Sequence, residues 1–379
     1  MIPNRDKCLP PGLNWDPAIS RQAQADDCLR RTDWETLCNI ASHAKREVPC
    51  KMLHSYTLGG SFLARLLKFQ DGTYWVARVQ LRKSTPEISR KLRIEIDTTV
   101  MLKTETKAPV PQIFAFELDD ANSTGSAFVL LEYLPGNNAA DEAHGYKKID
   151  WGLIPLQHRH TFYRTMAAAH VQIASARLLK IGTVIRNVDS SFTVGPIPGI
   201  RGPFDTAASF IQEWATRVKF PYDESYLQEV LPPLLASDGK QFTRKGPFPI
   251  RHNDLFHSNV IVTKDYGVLG VIDWENSYAV PWELINAPWF LNTVPRLLNR
   301  PDQYDNAGRP LAKDEAGQWA DEEAYADLVR EAELDARTDH KLSQILSNRN
   351  SRAMAAIIHL FSQGKMGFYG RVLDYFEAK

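Results

Sequence analysis

Between residues 50 and 135 short apolar runs alternate with turn residues. "HSYTLGGSFLARLLKFQDGTYWVARVQL" reads as strand, glycine turn, strand, Asp-Gly turn and strand. The charged stretch "PEISRKLRIEIDTTVMLKTET" follows, with Leu92, Ile96, Thr99 and Val100 near helical spacing. "APVPQIFAFELDD" and "SAFVLLEYLPG" predict two further strands, which makes five strands and one helix. Ahead of this block, residues 1–50 alternate polar and helical stretches, and "TDWETLCNIASHA" predicts a helix capped by Thr32 or Asp33. Beyond "EYLPG" the period becomes mostly helical, as in "HRHTFYRTMAAAHVQIASARLLK", broken by the Gly/Pro-rich "VGPIPGIRGPF". Two short strands are predicted at "VIV" and "VLGVI". "DEEAYADLVREAELDARTDHKLSQIL" and "SRAMAAIIHLFSQGKMGFYGRVLDYFEA" then read as long amphipathic helices.

This pattern predicts an N-terminal helical extension over 1–50, a small antiparallel β-rich lobe with one main helix over 51–134, and a larger, mostly helical lobe over 135–379. A hinge is expected near 132–137. At 379 residues the chain is long enough for more than one core. No internal repeat or low-complexity tract interrupts it.

Composition narrows the possibilities. Lys+Arg and Asp+Glu both number 45, so no net field favours nucleic acid or an anionic membrane. No stretch reaches the roughly 18 apolar residues of a membrane span. "MIPNRDKCLPPGLNWDP" carries no apolar signal core, and a cytoplasmic location is expected. Cys8, Cys28, Cys38 and Cys50 are spaced by 20, 10 and 12, unlike the close pairs of zinc sites, and reduced thiols are expected.

The chemistry concentrates in "RHNDLFHSNVIVTKDYGVLGVIDWEN", residues 251–276. Phosphoryl transfer needs a cation at the phosphate oxygens, a carboxylate at the acceptor hydroxyl and a cationic side chain on the inner phosphates. Mg²⁺ prefers oxygen ligands and keeps several waters, so one carboxylate and one amide suffice. Asp273 and Asn259 offer that pair, and Asp254 stands five residues before Asn259. The two predicted strands, joined by "TKDYG", would return Asn259 and Asp273 to the same end. Asp and Asn are also common in turns; the joint spacing, downstream of a glycine turn and a β-lobe, is what favours chemistry. His252 is expected to shape the loop, His257 to be a loop residue near the site, His170 to be a core histidine and Trp274 to pack beneath the loop.

"RHNDLFHSNVIV" with "GVIDWENS" resembles the aminoglycoside phosphotransferase family of the protein-kinase-like superfamily, especially its fungal phosphotransferase-enzyme branch. "YWVARV", "RIEIDTTVMLKTETKAPVPQIFAFE", "LLEYLPG" and "GPFPIRHNDLFHSN" fit that branch, and the likeness spans about residues 55–290. It implies an α+β, two-lobed protein-kinase-like fold, with 51–134 as the nucleotide-binding lobe and 135–379 as the catalytic and acceptor-binding lobe. ATP and Mg²⁺ are the implied co-substrate and metal. Asp254 would be the catalytic base or acceptor-orienting residue, and Asn259 and Asp273 would hold the metal. Gly59, Gly60 and Ser61 would cover the phosphates. Glu132, Tyr133 and Leu134 would form the hinge, where backbone meets the adenine edge. Glu95 would pair with the phosphate-gripping cation. That cation is commonly lysine, but here it is Arg78, a planar fork that implies altered nucleotide affinity. The glycine turn also falls short of a full Gly-x-Gly-x-x-Gly.

A small-molecule alcohol is the expected acceptor: a sugar, an amino-alcohol or a specialised metabolite. Asn253 replaces an arginine of many regulated protein kinases, and "DWENSYAVPWEL" runs from Asp273 straight into a Pro-Trp turn. Glu275, Glu283 and Asp302 could make the acceptor pocket acidic, or be solvated charges. Trp282, Trp289 and Phe290 read as core. A non-catalytic scaffold and a protein kinase are the competing readings.

Overall fold

The computed structural model of the chain describes residues 9–15, 21–143, 154–218, 245–288, 291, 301–306, 309–348, 351 and 355. Its contacts divide into two compact units. The first comprises Met1–Thr104, Pro109–Gly152 and Ser258–Asn276; the second comprises Glu105–Ala108, Leu153–His257 and Ser277–Lys379.

The first unit is built on a five-stranded antiparallel sheet of order β1-β2-β3-β5-β4. Its strands are β1 (Cys50–Leu58), β2 (Phe62–Phe69), β3 (Tyr74–Gln80), β4 (Ile113–Glu117) and β5 (Phe128–Glu132). The β2–β3 turn works as its Asp-Gly signal predicts. Gly72 takes φ +84, a region glycine enters without Cβ strain, and Asp71 accepts from Thr73 N (3.0 Å) and Thr73 Oγ1 (2.7 Å).

Successive side chains of a strand face opposite ways, and both faces here are covered. Trp75, Ala77 and Val79 of β3 join Leu63, Leu67, Phe128 and Leu130 in a core closed by helices α1 (Gln22–Arg31) and α2 (Trp34–Ala44) through Ala25, Cys28, Leu37 and Ala41. Val76 falls on the opposite face, where Phe62, Val129 and Leu131 pack against Leu92 and Ile96 of α3 (Pro86–Glu105). The predicted helix ends are seen. Asp33 caps α2 by accepting from Thr36 N at 2.9 Å. Proline fills the first position of α3, where its missing N–H costs nothing. Residues 9–44 thus belong to the same unit as the sheet.

After β5 the chain forms β6 (Asn137–Asn138) and a single turn, α4 (Ala139–Glu142). β6 pairs with the strand Val260–Val262, which pairs antiparallel with Val268–Val271. A Cβ on Gly136 would collide with the carbonyl of Val262, so only glycine lets the chain approach there.

The second unit is organised around α5 (Leu156–Ser175), which packs on α7 (Lys313–Ala336). Arg159 Nη1 lies 3.2 Å from Asp321 Oδ2, and His170 Nδ1 and Tyr325 Oη share a 3.2 Å hydrogen bond inside. His170 is thus a satisfied core histidine, as expected. Helix α6 (Ala207–Val218) and two small strand sets are also in this unit.

The region is less helical than its period predicts. "ARLLK" leaves α5 after Ser175 and supplies the strand Arg177–Leu178, and Thr183–Arg186 pairs with Phe192–Gly195 in a two-stranded ribbon. The stretch expected as one long helix after residue 320 is two, α7 and α8 (Lys341–Ser347). Arg337 (φ 55) and His340 (φ 58) turn left-handed and end the first before the second begins. The ends are fastened by Glu333, whose Oε1 accepts from Leu342 N at 2.9 Å, and by a bidentate Arg177–Asp339 pair at 2.6 and 2.8 Å. The helix expected over 351–378 lies almost wholly outside the described residues, and Trp289 and Phe290 lie outside them. No described helix is long and apolar enough to cross a membrane.

Candidate active site

The alternation of β3 decides where Arg78 goes. Sharing the α3 face with Val76, it meets Glu95, which lies one turn along from Leu92 on that helix. Arg78 Nη1 is 2.5 Å from Glu95 Oε1, and its guanidinium lies over the Phe62 ring, 4.1 Å from the centroid. Nη2 is also 3.6 Å from Asp273 Oδ1. One cation therefore ties sheet, helix and the strand pair at 260–271.

Asn259 and Asp273 meet as their spacing predicts. They flank the antiparallel pair in which Val260 registers with Val271, and Ile272 N donates to Asn259 O at 2.9 Å. Asn259 is buried. Asp273 adopts φ +67, a conformation uncommon outside glycine and asparagine. Such backbone strain persists only where the surroundings enforce it. Here Val271 N is held by Pro109 O at 2.7 Å, and Trp274, buried beneath the turn, donates from Nε1 to Val271 O at 3.1 Å.

Glu275 is the member that sequence reasoning did not place in the site. The sequence leaves it as an acidic acceptor-pocket residue or a solvated charge, yet it joins Glu95 and Asp273, with carboxylate oxygens of all three within 4.8 Å of one another. Its side chain is hydrogen-bonded to Ser61. Asp273 and Glu275 stand two residues apart in "DWE", where the chain turns after the strand ending at Val271.

The electrostatics are unbalanced toward negative charge. The 2.5 Å bond to Arg78 by itself would hold the Glu95 carboxyl low. Burial outweighs it, and with Asp273 close by the carboxyl is pushed up to about 7. Burial raises Glu275 too, assisted by Asp273. For Arg78, burial acts to lower the pKa, and the neighbouring Glu95 and Asp273 reverse the balance, keeping it charged. Glu95 Oε2 is buried with no hydrogen-bond partner among the described residues, and Asp273 Oδ1, also without one, has the Arg78 guanidinium at 3.6 Å. Buried carboxylate oxygens without donors are costly unless a cation meets them. A hard divalent cation, which prefers oxygen ligands, fits this donor set.

The remaining expected residues are placed as follows. Gly59 and Gly60 are exposed in the β1–β2 turn, closed by Gly59 N donating to Phe62 O at 2.9 Å. Glu132 ends β5, and its Oε2 accepts from Lys103 Nζ (3.1 Å) and Gln112 N (2.9 Å). Tyr133 packs against Tyr74 with centroids 5.8 Å apart. Leu134 lies against Gly270, where a Cβ would strike its side chain. All of these, with Arg78, Glu95, Asn259 and Asp273, are in the first unit, whereas Asp254 belongs to the second. Asp254 is exposed on the turn after the strand Phe248–Arg251. There its N–H donates to His252 Nδ1 at 3.1 Å, the shaping role expected of that histidine. Glu283 is buried in the second unit.

The sequence profile of the phosphotransferase enzyme family matches residues 58–281, more than half of the chain and the whole of this constellation. The chain belongs to the phosphotransferase enzyme family. Among solved structures it is similar to a macrolide 2'-phosphotransferase type I, at 17% identity over 91% of this chain and 96% of that one, with a TM-score of 0.45. It is also similar to the macrolide 2'-phosphotransferase apoenzyme of Brachybacterium faecium, at 16% identity over 89% and 95%, with a TM-score of 0.47. No curated protein matches. The Arg78–Glu95 ion pair lies inside the matched region.

Proposed function

We propose that this phosphotransferase moves the γ-phosphoryl group of ATP, with Mg²⁺, to a hydroxyl of a small molecule such as a sugar, amino-alcohol or specialised metabolite. The observation that carries the reading is Arg78, bound to Glu95 at 2.5 Å and 3.6 Å from Asp273. That is a cation held ready beside an excess of carboxylate.

Each residue then has a part. Arg78, steadied by Glu95 and by the Phe62 ring, directs its remaining N–H groups to the inner phosphates. The turn of Gly59, Gly60 and Ser61 covers the phosphates, its Gly60 and Ser61 backbone N–H groups meeting the phosphate oxygens while Gly59 N closes the turn on Phe62 O. Backbone of Glu132, Tyr133 and Leu134 meets the adenine edge. Asn259 and Asp273 would hold Mg²⁺, which when bound supplies charge neutralisation at the phosphate oxygens. Asp254 orients the acceptor hydroxyl and takes its proton as the oxygen–phosphorus bond forms and the bond from the γ-phosphorus to ADP breaks. A small acceptor is favoured by chain length. Only four residues separate Asp273 from the strand Tyr278–Ala279, too few for a segment that supports a peptide.

The test is transfer of label from γ-³²P-ATP in the presence of Mg²⁺ to a library of small hydroxyl compounds, with Asp254→Ala and Asp273→Ala as controls. Label on a small molecule, lost in both variants, supports the proposal. Label on added proteins alone, or nucleotide binding without any transfer, moves the reading to a protein kinase or a scaffold.

A further inference from the structure

Residues 1–50 have no part in the reading above, yet one of their side chains grips the phosphate-covering turn. Arg21, the residue just before α1, donates from Nη1 to Gly60 O at 2.9 Å and from Nη2 to Gly59 O. Next to it, Gln22 Nε2 donates to Tyr56 Oη on β1 at 3.0 Å. The base from which Arg21 reaches is firm. Ala25 and Cys28 of α1 are fully buried against the sheet. At the far end of the same helix Arg31 donates to Leu81 O at 3.0 Å, to Ser126 Oγ at 3.2 Å and to Gln80 O.

The two carbonyls matter because of peptide planarity. In a trans peptide the N–H of one residue points opposite to the C=O of the residue before it. Holding Gly59 O and Gly60 O therefore fixes the direction of the N–H groups of Gly60 and Ser61. Among the described residues, Gly59 N on Phe62 O and Leu81 N on Ser61 O, both at 2.9 Å, hold the ends of the turn, and between them a Cβ at Gly60 would meet no atom within 4 Å. Two exposed glycines not otherwise held sample many orientations, and ordering their backbone has an entropic cost.

We propose that Arg21 is a positioning residue for nucleotide binding: its fork holds the Gly59 and Gly60 carbonyls so that the Gly60 and Ser61 N–H groups are preset as phosphate donors. The N-terminal helices are then a working part of the nucleotide site. This rests on the ATP-dependent reading above.

The test measures Mg-ATP affinity by calorimetry, and hydrogen exchange of the peptide spanning 57–63, in the full chain and in Arg21→Ala, Arg21→Lys and Arg31→Ala. Arg21→Ala is expected to weaken ATP binding about tenfold, the effect of losing charged hydrogen bonds that order a loop, and to speed exchange at residues 59–61. The thermal midpoint should stay within the range of exposed-residue changes. Arg21→Lys, with no fork to span two carbonyls, should recover only part of the affinity. Arg31→Ala loosens the same helix without touching the glycines; it should lower the midpoint and leave ATP affinity within twofold of wild type. Equal ATP affinity in wild type and Arg21→Ala overturns this inference alone. So does a loss in Arg31→Ala as large as that in Arg21→Ala, which would make the effect one of helix stability. A wild-type chain that binds no ATP overturns the underlying reading, a separate outcome.

Discussion

Arg78 and Glu95 are joined at 2.5 Å between β3 and α3, and the carboxylate end of that pair is almost sealed from solvent. A buried ion pair contributes little net stability, but removing one partner strands the other at a cost of about 3–5 kcal/mol. Arg78→Ala is therefore expected to destabilise the first unit by about 3 kcal/mol, with Glu95→Gln in the same chain restoring much of it. Urea unfolding of the two single variants and the double variant reads the coupling. Additive losses would show that the pair does not act as a unit.

The planar fork makes a second prediction. Arg78→Lys keeps the charge but cannot reach Glu95 and Asp273 with separate nitrogens while lying over Phe62. Catalytic rate with ATP should fall about tenfold or less, whereas Arg78→Met should cost at least about a hundredfold, as expected when a preorganised charge at developing phosphate charge is removed. Steady-state kinetics with a found acceptor checks both. A lysine variant as poor as methionine would mean the geometry of the fork, not its charge, governs the site.

His170 predicts acid lability of the second unit. Burial lowers its pKa from 6.5 to about 4. The unfolded chain thus binds a proton that the folded chain refuses between those values. Stability from this residue is complete above pH 6.5 and is lost as pH falls toward 4, by about 3 kcal/mol in all. His170→Gln should flatten the slope of unfolding free energy over that window. An unchanged slope would assign the acid sensitivity to other groups.

The thiols of the N-terminal helices should differ in reactivity. A hydrogen bond from Cys50 lowers the Cys38 pKa, while burial raises that of Cys28, which is fully enclosed. Thiolate is the reactive form. Iodoacetamide at pH 7.5 is expected to label Cys38 at least about tenfold faster than Cys28, and Cys50→Ala should slow the labelling of Cys38. Peptide mapping by mass spectrometry follows each site. Cys28 labelled first would contradict the packing of α1 on the sheet.

Much of this was legible in the chain because short-range rules governed it. The turn at Asp71–Gly72, the cap at Asp33 and the meeting of Asn259 with Asp273 all follow from local turn, cap and strand-pair signals. Glu275 is left open by the sequence because its partners, Glu95 and Ser61, are distant in the chain, and no local rule connects them. Arg21 was missed for the same reason: 38 and 39 residues separate it from the carbonyls it holds. The two-helix ending after residue 313 escaped because apolar spacing continues through Arg337 and His340, and only their left-handed backbone breaks it.

The central claim is that Asp273, set beside Arg78 and Glu95, makes nucleotide binding depend on a divalent ion. Calorimetric titration of ATP into wild type and Asp273→Asn, each with and without Mg²⁺, tests it most directly. Binding in wild type should strengthen at least about tenfold with Mg²⁺, and the metal response should be lost in Asp273→Asn. ATP binding indifferent to Mg²⁺, or the same metal response in both proteins, would contradict it.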